Sequence, residues 1–276
     1  MKSRTYNGKT FTMEIGAILL ALLFLVPFYF LIANSFKSFA DILLDSAALP
    51  KSLQWANYEK AFDIMNFKKA FSNSFIITVT SVAGLAVFGS MAAYRMVRKP
   101  NWYNNLLFTM FVAAMVIPFQ SIMIPLMKVG NWFHLINSIP GIWLCYLGFG
   151  SSLTIFLYHG FVKSIPVEVE EAAVVDGCSP YGVFWRIVFP LLKPMTVTII
   201  ILNSLWIWND FLLPQLMLGP ELRTIPLSTY SFFGQYTKQW DLALAALVMG
   251  VLPIVIFFLF LQKHIIEGIT AGSVKG

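Results

Sequence analysis

The sequence predicts an all-α integral membrane protein of six transmembrane helices, with a polar helix–Gly–helix elbow between the fourth and the fifth. Three observations predict this class. Of the 276 residues 58% are hydrophobic and 12% charged, about half the charged share of a soluble domain, and the mean hydropathy is +0.74. Apolar stretches recur at the length of about 20 residues that a bilayer-spanning helix needs. A single charged island, Glu168 to Asp176 followed by Gly177, stands apart from them.

The spans are expected at 13–34, 70–94, 106–127, 139–161, 195–213 and 242–261, within a single transmembrane domain over 1–276. The first follows Lys2, Arg4 and Lys9, and Ala33-x-Ser35 resembles a cleavage site. Its apolar run exceeds the 7–15 residues of a signal core, so a retained helix is expected. In the second, Gly84, Ala86, Gly89, Ser90 and Ala93 supply small residues that let backbones approach closely in lipid. Pro118 and Pro125 interrupt the third and Pro253 the sixth; each removes a backbone donor and kinks its helix. Such kinks suit a moving gate and equally a static bundle.

Lys and Arg near the helix ends set the orientation. With the N-terminus inside, the clusters Lys2, Arg4, Lys9 and Arg95, Arg98, Lys99 are cytoplasmic, as are Lys163, Arg186, Lys193, Lys263 and Lys275. Lys68-Lys69 at an outer helix end argues mildly against this assignment, yet the opposite one misplaces both tight clusters. The net charge of +6 is spread over loops, which reads as membrane orientation and not as nucleic-acid binding. Cys145 and Cys178 lack metal-ligand spacing and read as packing residues. His134, His159 and His264 are scattered, and neither a nucleophile elbow nor a metal cluster is present.

The elbow is expected over 164–190. Ser164-Ile165-Pro166 reads as a helix start, with Ser as cap and Pro in the first turn. Glu168, Glu170 and Glu171 follow, where the helix dipole favours carboxylates. Gly177 is placed to end the helix in a left-handed conformation, and Ser179-Pro180 repeats the cap signal for a second short helix. Ala172 and Ala173 permit close approach of another surface, while Glu171 and Asp176 offer acceptors. The competing reading lays this helix on lipid headgroups. Its carboxylates would then face an anionic leaflet that prefers Lys and Arg, which favours a docking role on a partner protein.

These residues carry a resemblance. Glu171-Ala172-Ala173-x-x-Asp176-Gly177, a spacer, then Ile187-x-x-Pro190 resembles the EAA motif of ABC importer permeases. Leu191-Leu192-Lys193-Pro194, Trp208-Asn209-Asp210 and the tail Gly268 to Gly276 resemble the carbohydrate-importing, MalG-like subgroup. The likeness covers nearly the whole chain. Phe189 stands where that family usually has Leu, and Cys178 where Ala is common; neither change removes a charge or a turn.

The resemblance implies a type I importer permease fold and a set of partners. These are a second, MalF-like permease, two cytoplasmic ATPase subunits (a homodimer or a pair) and an extracytoplasmic substrate-binding protein. Glu171, Ala172, Ala173, Asp176, Gly177, Ile187 and Pro190 would couple to one ATPase. Gly268, Thr270, Gly272, Lys275 and Gly276, in the tail over 263–276, would reach the ATPase dimer interface. By their residues alone, these last positions read as a frayed terminus. No Gly-x-x-x-x-Gly-Lys-Ser/Thr loop occurs in the chain, so no cofactor is expected here. ATP and Mg would be bound by the partner ATPase, and this chain is expected to be non-catalytic. The implied location is the bacterial cytoplasmic (inner) membrane, multi-pass, with both termini cytoplasmic.

For the translocation path, Asn203, Trp206 and Asp210 fall on one helical face with Asn209 adjacent. A carboxylate at bilayer depth costs roughly 2.5–3.5 kcal/mol, so Asp210 should face the bundle interior, water or a partner. Polar groups beside an aromatic ring suit a sugar, whose hydroxyls need hydrogen bonds while its C–H face stacks. Alternatively, the tryptophans form an interfacial belt and Asp210 anchors the outer loop. Trp55, Tyr58 and Phe62 suggest a surface helix on the outside, and Tyr230, Phe232, Phe233 and Tyr236 an exposed aromatic loop. The expected function is uptake of a sugar, an oligosaccharide in particular, by alternating access. The rivals are glycerol-phosphate or another small solute on the same architecture, and an ion-coupled secondary transporter. A phosphate would call for a basic pathway, and no Arg or Lys lies deep in a span; an ion-coupled carrier usually carries several buried ionisable groups and internal repeats.

Overall fold

The computed structural model describes residues 8–234 and 239–273, the side chains of Lys9 and of 264–273 excepted. Every regular element among them is helical. In chain order these are α1 (Gly8–Ser35), α2 (Phe39–Leu44), α3 (Ala56–Ile64), α4 (Phe67–Arg98), α5 (Trp102–Ala114), α6 (Phe119–Trp132) and α7 (Ile139–Val162). Then come α8 (Val167–Val175), α9 (Pro180–Val183), a π turn (Phe184–Val188), α10 (Phe189–Leu191), α11 (Lys193–Asn209) and α12 (Leu212–Met217). The last are a 3-10 turn (Pro220–Leu222), α13 (Ile225–Tyr230) and α14 (Trp240–Ser273). The described residues fall into two compact units, one within Met1–Phe67 and Thr229–Val251, the other within Lys68–Ser228 and Leu252–Gly276.

Among the described residues four helical stretches are long and apolar enough to cross a membrane: Thr10–Ser35, Phe67–Arg98, Ile139–Val162 and Trp240–Lys263. Two bent pairs raise the number to six if each is one span, α5 with α6 at 110° and Pro180–Leu191 with α11 at 72°. The segment 106–127 is therefore two helices. Pro118 stands at the start of α6 with ψ 136°, and proline pushes the residue before it out of the α region. Pro125 lies inside α6 without ending it. The fifth segment also ends early: α11 stops at Asn209, and Asp210 is extended at φ −71° and ψ 130°.

In the first unit the segment after α1 is tied by polar groups. Asn57 Nδ2 donates to the carbonyls of Ser35 (3.0 Å) and Lys37 (2.8 Å). Lys37 is buried, with Nζ on the carbonyls of Asp45 and Ser46. Phe36 packs edge-on against Trp55, so the expected surface helix is α3, with Trp55 at its start. The aromatic loop departs from expectation: Tyr230 is exposed but Phe232 is buried, Phe233 packs on Trp240, and Tyr236 lies outside the described residues.

In the second unit α4 and α7 meet at glycine. A Cβ on Gly89 would lie 2.5 Å from Thr154 Cγ2, and one on Gly84 2.8 Å from Leu147 Cδ2, the close approach expected from the small residues of α4. Buried hydroxyls and amides add interhelical bonds. Tyr158 bonds Thr196 at 2.9 Å, and Asn203 Nδ2 reaches Thr154 Oγ1 at 3.3 Å. At the other end of α4, Asn73 donates to the Arg223 carbonyl, Ser74 Oγ accepts from Ile225 N–H, and Lys69 pairs with Glu221. The segment after Gly219 is thus pinned to α4.

Candidate functional site: the elbow and the cavity beside it

Helix α8 begins one residue after Pro166, which has extended ψ and no side-chain cap. Ser164 is not the cap expected from the sequence, because its hydroxyl donates to the Phe161 carbonyl at 2.8 Å. The far end follows expectation. Gly177 has φ +86°, its N–H bonds the Val174 carbonyl at 3.0 Å, and Cys178 N–H bonds the Ala173 carbonyl at 2.9 Å. This pair of bonds is a Schellman closure. Ser179 then caps α9, its Oγ accepting from Gly182 N–H at 3.2 Å, with Pro180 in the first turn.

The two faces of α8 differ. Glu170 and Ala173 point inward; Ala173 is 7% exposed and joins a core with Ala93, Val162, Val183, Phe184 and Val188. Ala173 is therefore a contact with this chain's own helices and not part of the outward surface expected for it. Glu170 is also spoken for. Arg98 Nε bonds its Oε1 at 2.7 Å and Tyr94 OH its Oε2 at 2.7 Å. Glu171, Ala172, Val174, Val175 and Asp176 face outward, with Val175 86% exposed and Tyr181 of α9 75% exposed. Ile187 is half-buried in the core behind the elbow, while Pro190 is exposed. The sequence reading missed Val174, Val175 and Tyr181, although two adjacent valines just before the terminating Gly177 are an unusual choice for a solvated helix end. Helix α14 runs unbroken to Ser273 and so takes in Gly268, Thr270 and Gly272; the Thr270 side chain and residues Lys275 and Gly276 lie outside the described residues.

A cavity of about 610 Å³ opens between α5, α6, α7 and α11. Asn203, Trp206 and Asp210 all line it, joined by Gln120, Ser152 and Phe149. Asn209 does not: it is exposed and its amide donates to the Leu205 carbonyl at 2.7 Å. Asp210 does two things at once. Tyr146, fully buried, donates to its Oδ2 at 3.1 Å, and its Oδ1 accepts the Leu212 N–H at 3.0 Å, opening α12. Trp206 meets the Tyr146 ring edge-on at 5.5 Å. The carboxylate thus anchors the turn into α12 and also borders the cavity. Gln120, which lines the cavity from α6, and Tyr146, which bonds Asp210 from α7, were not legible as site residues because both come from other helices.

This anchoring carries a prediction. Asp210→Ala strands the Tyr146 hydroxyl and removes the α12 acceptor, which costs about 1–3 kcal/mol for a buried unsatisfied group; Asp210→Asn keeps one acceptor and costs less. Thermal unfolding of the detergent-extracted protein is expected to rank wild type, Asn, then Ala, and an unchanged Ala variant would contradict the anchoring role.

Apolar helices of membrane-spanning length, an exposed helix–Gly–helix elbow and a cavity lined by polar and aromatic side chains fit a solute permease. Residues 85–270 match the family described as binding-protein-dependent transport system inner membrane component, and the chain belongs to it: it is a permease subunit of an ABC importer in the inner membrane, itself non-catalytic. It is 45% identical, over 99% of both chains, to a probable starch degradation products transport permease of Thermoanaerobacterium thermosulfurigenes. It is 35% identical to a multiple sugar-binding transport permease of Streptococcus mutans, covering 98% of this chain and 97% of that one. It is 34% identical to a melibiose/raffinose/stachyose import permease of Bacillus subtilis, covering 98% and 99%. Among solved structures, a bacterial ABC transporter that imports the acidic polysaccharide alginate shares the fold at TM-score 0.77 and 21% identity, covering 95% of this chain and 99% of that one.

Proposed function

We propose that this chain moves an oligosaccharide into the cytoplasm by alternating access, driven by partner ATPases that dock on the outward face of α8. The observation that carries the docking reading is the exposed apolar–acidic surface of Glu171, Ala172, Val174, Val175 and Asp176, held rigid by the Gly177 closure. Exposed valines beside carboxylates fit a protein groove better than an anionic lipid surface. Small residues at Ala172 and Gly177 leave room for close approach.

The sugar assignment is supported by the carbohydrate names of the relatives and by the make-up of the cavity. Its lining combines an indole, two side-chain amides, a hydroxyl and one carboxylate, with no Lys or Arg among the described lining residues. That set suits a neutral polyol and disfavours a phosphate ester, which calls for basic partners. The working assembly holds a second, MalF-like permease, two ATPase subunits that bind ATP and Mg, and an extracytoplasmic binding protein. One solved relative was captured with an alginate pentasaccharide-bound periplasmic protein. Both termini face the cytoplasm, and the tail through Thr270 and Lys275 reaches the ATPases.

Gentle affinity purification through this chain tests the reading. The expected companions are a second multi-span permease and an ATPase, with the ATPase lost on Glu171→Lys. Recovery of this chain alone, or ATPase retention at wild-type level on Glu171→Lys, would contradict it. Uptake of labelled maltotriose, raffinose and glycerol 3-phosphate by cells carrying the operative complex then separates the solute classes; preference for glycerol 3-phosphate would overturn the sugar reading alone.

A further inference from the structure

Helix α8 is joined covalently to α7 on one side and, through the π turn and α10, to α11 on the other. Helix α4 has no such connection, being separated from Glu170 by 72 residues at Arg98. Yet α4 packs on α7 at Gly89, and its Leu85 sits against Gly150, beside the amide of Asn203 in the cavity wall. A movement at the elbow that failed to reach α4 would leave that wall behind.

The end of α4 makes the missing connection. Arg98, its last residue, holds Glu170 Oε1 through Nε and, through the other arm of the guanidinium, the Ile165 carbonyl at 2.8 Å. It therefore grips both α8 and the turn that leads into it. Tyr94, one helical turn earlier, holds the second carboxylate oxygen, so two successive turns of α4 are fastened to one side chain of α8. The Arg98 and Glu170 side chains are 14% and 10% exposed. Separating a pair at that depth leaves two poorly solvated charges, whereas the neighbouring apolar contacts of Ala173 permit sliding. The bond geometry favours α8 and the inner end of α4 moving as one piece.

We propose that Arg98, Glu170 and Tyr94 are positioning residues that transmit displacement of α8 into α4 and so to the cavity wall. The inference rests on the reading of α8 as the ATPase-docking helix. None of the three is placed on the docking face, since all lie on the inward side.

The test uses the whole importer, purified through this chain and reconstituted, with Cys145 and Cys178 replaced by Ala and Gln120→Cys as a reporter in the cavity. The probe is a membrane-impermeant maleimide, with labelling rates compared before and after trapping with ATP and vanadate. In the reporter chain the trapped state is expected to change the labelling rate. Arg98→Ala and Glu170→Ala are expected to lose that change while ATP hydrolysis persists, and the exchanged pair Arg98→Glu with Glu170→Arg to regain it. Tyr94→Phe, which deletes one hydroxyl, provides a milder variant if the alanine chains fail to insert, and is expected to reduce the change. A full labelling change in Arg98→Ala, or in Tyr94→Phe if only that variant inserts, overturns the inference and leaves the docking reading standing. No change in the reporter chain itself, with ATPase present, overturns the docking reading and the inference with it.

Discussion

Gly177→Pro is expected to abolish sugar uptake while the chain still reaches the membrane. Gly177 sits at φ +86°, and proline fixes φ near −65°. The substitution also deletes the N–H that bonds Val174 at 3.0 Å, so α8 loses its closure and α9 its direction. Nothing lies within 4 Å of an added Cβ, so the penalty comes from backbone conformation and not from crowding. That distinction orders a series. Asn tolerates the left-handed region, Ala pays roughly 1–2 kcal/mol there, and Pro cannot enter it. Uptake is expected to fall from Gly through Asn and Ala to Pro, at similar membrane levels by immunoblot. Wild-type uptake by the Pro variant would sink the account of the elbow.

Gly141→Ala is expected to act on folding instead. A Cβ at Gly141 would lie 1.9 Å from the Leu135 carbonyl oxygen and 2.8 Å from Ser138 Oγ. The obstruction is backbone, and that backbone is held from several sides. Leu135 N–H bonds Gly130 at 2.8 Å, Asn137 N–H bonds the Met217 carbonyl at 2.6 Å, and Asn137 itself is left-handed at φ 59°. Relief requires moving the whole α6–α7 turn, together with Gly219, whose N–H bonds Asn137 Oδ1 at 2.8 Å. A cost of about 3 kcal/mol or more, the upper end for single substitutions, follows. Reduced membrane abundance and a clearly lower melting temperature in detergent would show it, and an unaltered melting temperature would refute the close approach.

What the sequence disclosed divides along a physical line. Features fixed by neighbours in the chain were legible: the left-handed Gly177, the Ser179-Pro180 cap and the small-residue face of α4 all depend on local backbone rules. Local rules also misled. Ser164 has the right chemistry for a cap, but the preceding turn of α7 takes its hydroxyl, and α8 starts later. Pro118 signalled an interruption in the third segment, yet the 110° bend depends on what α5 and α6 pack against. The inward turn of Ala173 could not be read from spacing, because a nine-residue helix with apolar residues all round offers no single core face. Glu170 read only as a carboxylate suited to the start of the helix, because its partners, Arg98 and Tyr94, come from a helix distant in sequence. In the cavity, the alignment of Asn203, Trp206 and Asp210 followed from helical geometry, but Asn209 was drawn in by adjacency alone and turns away.

The central claim is that α8 docks on an ATPase, and Val175 offers the most direct view of it. In membranes of cells expressing the whole importer, with Cys145 and Cys178 replaced by Ala, Val175→Cys is treated with a short lysine-reactive maleimide cross-linker. The product is then identified by mass spectrometry. The account predicts an adduct between this chain and the ATPase that is absent from an Asn209→Cys control on α11. An ATPase adduct from the control but not from Val175→Cys, or Val175→Cys modified with no ATPase attached while the ATPase is present, would contradict it.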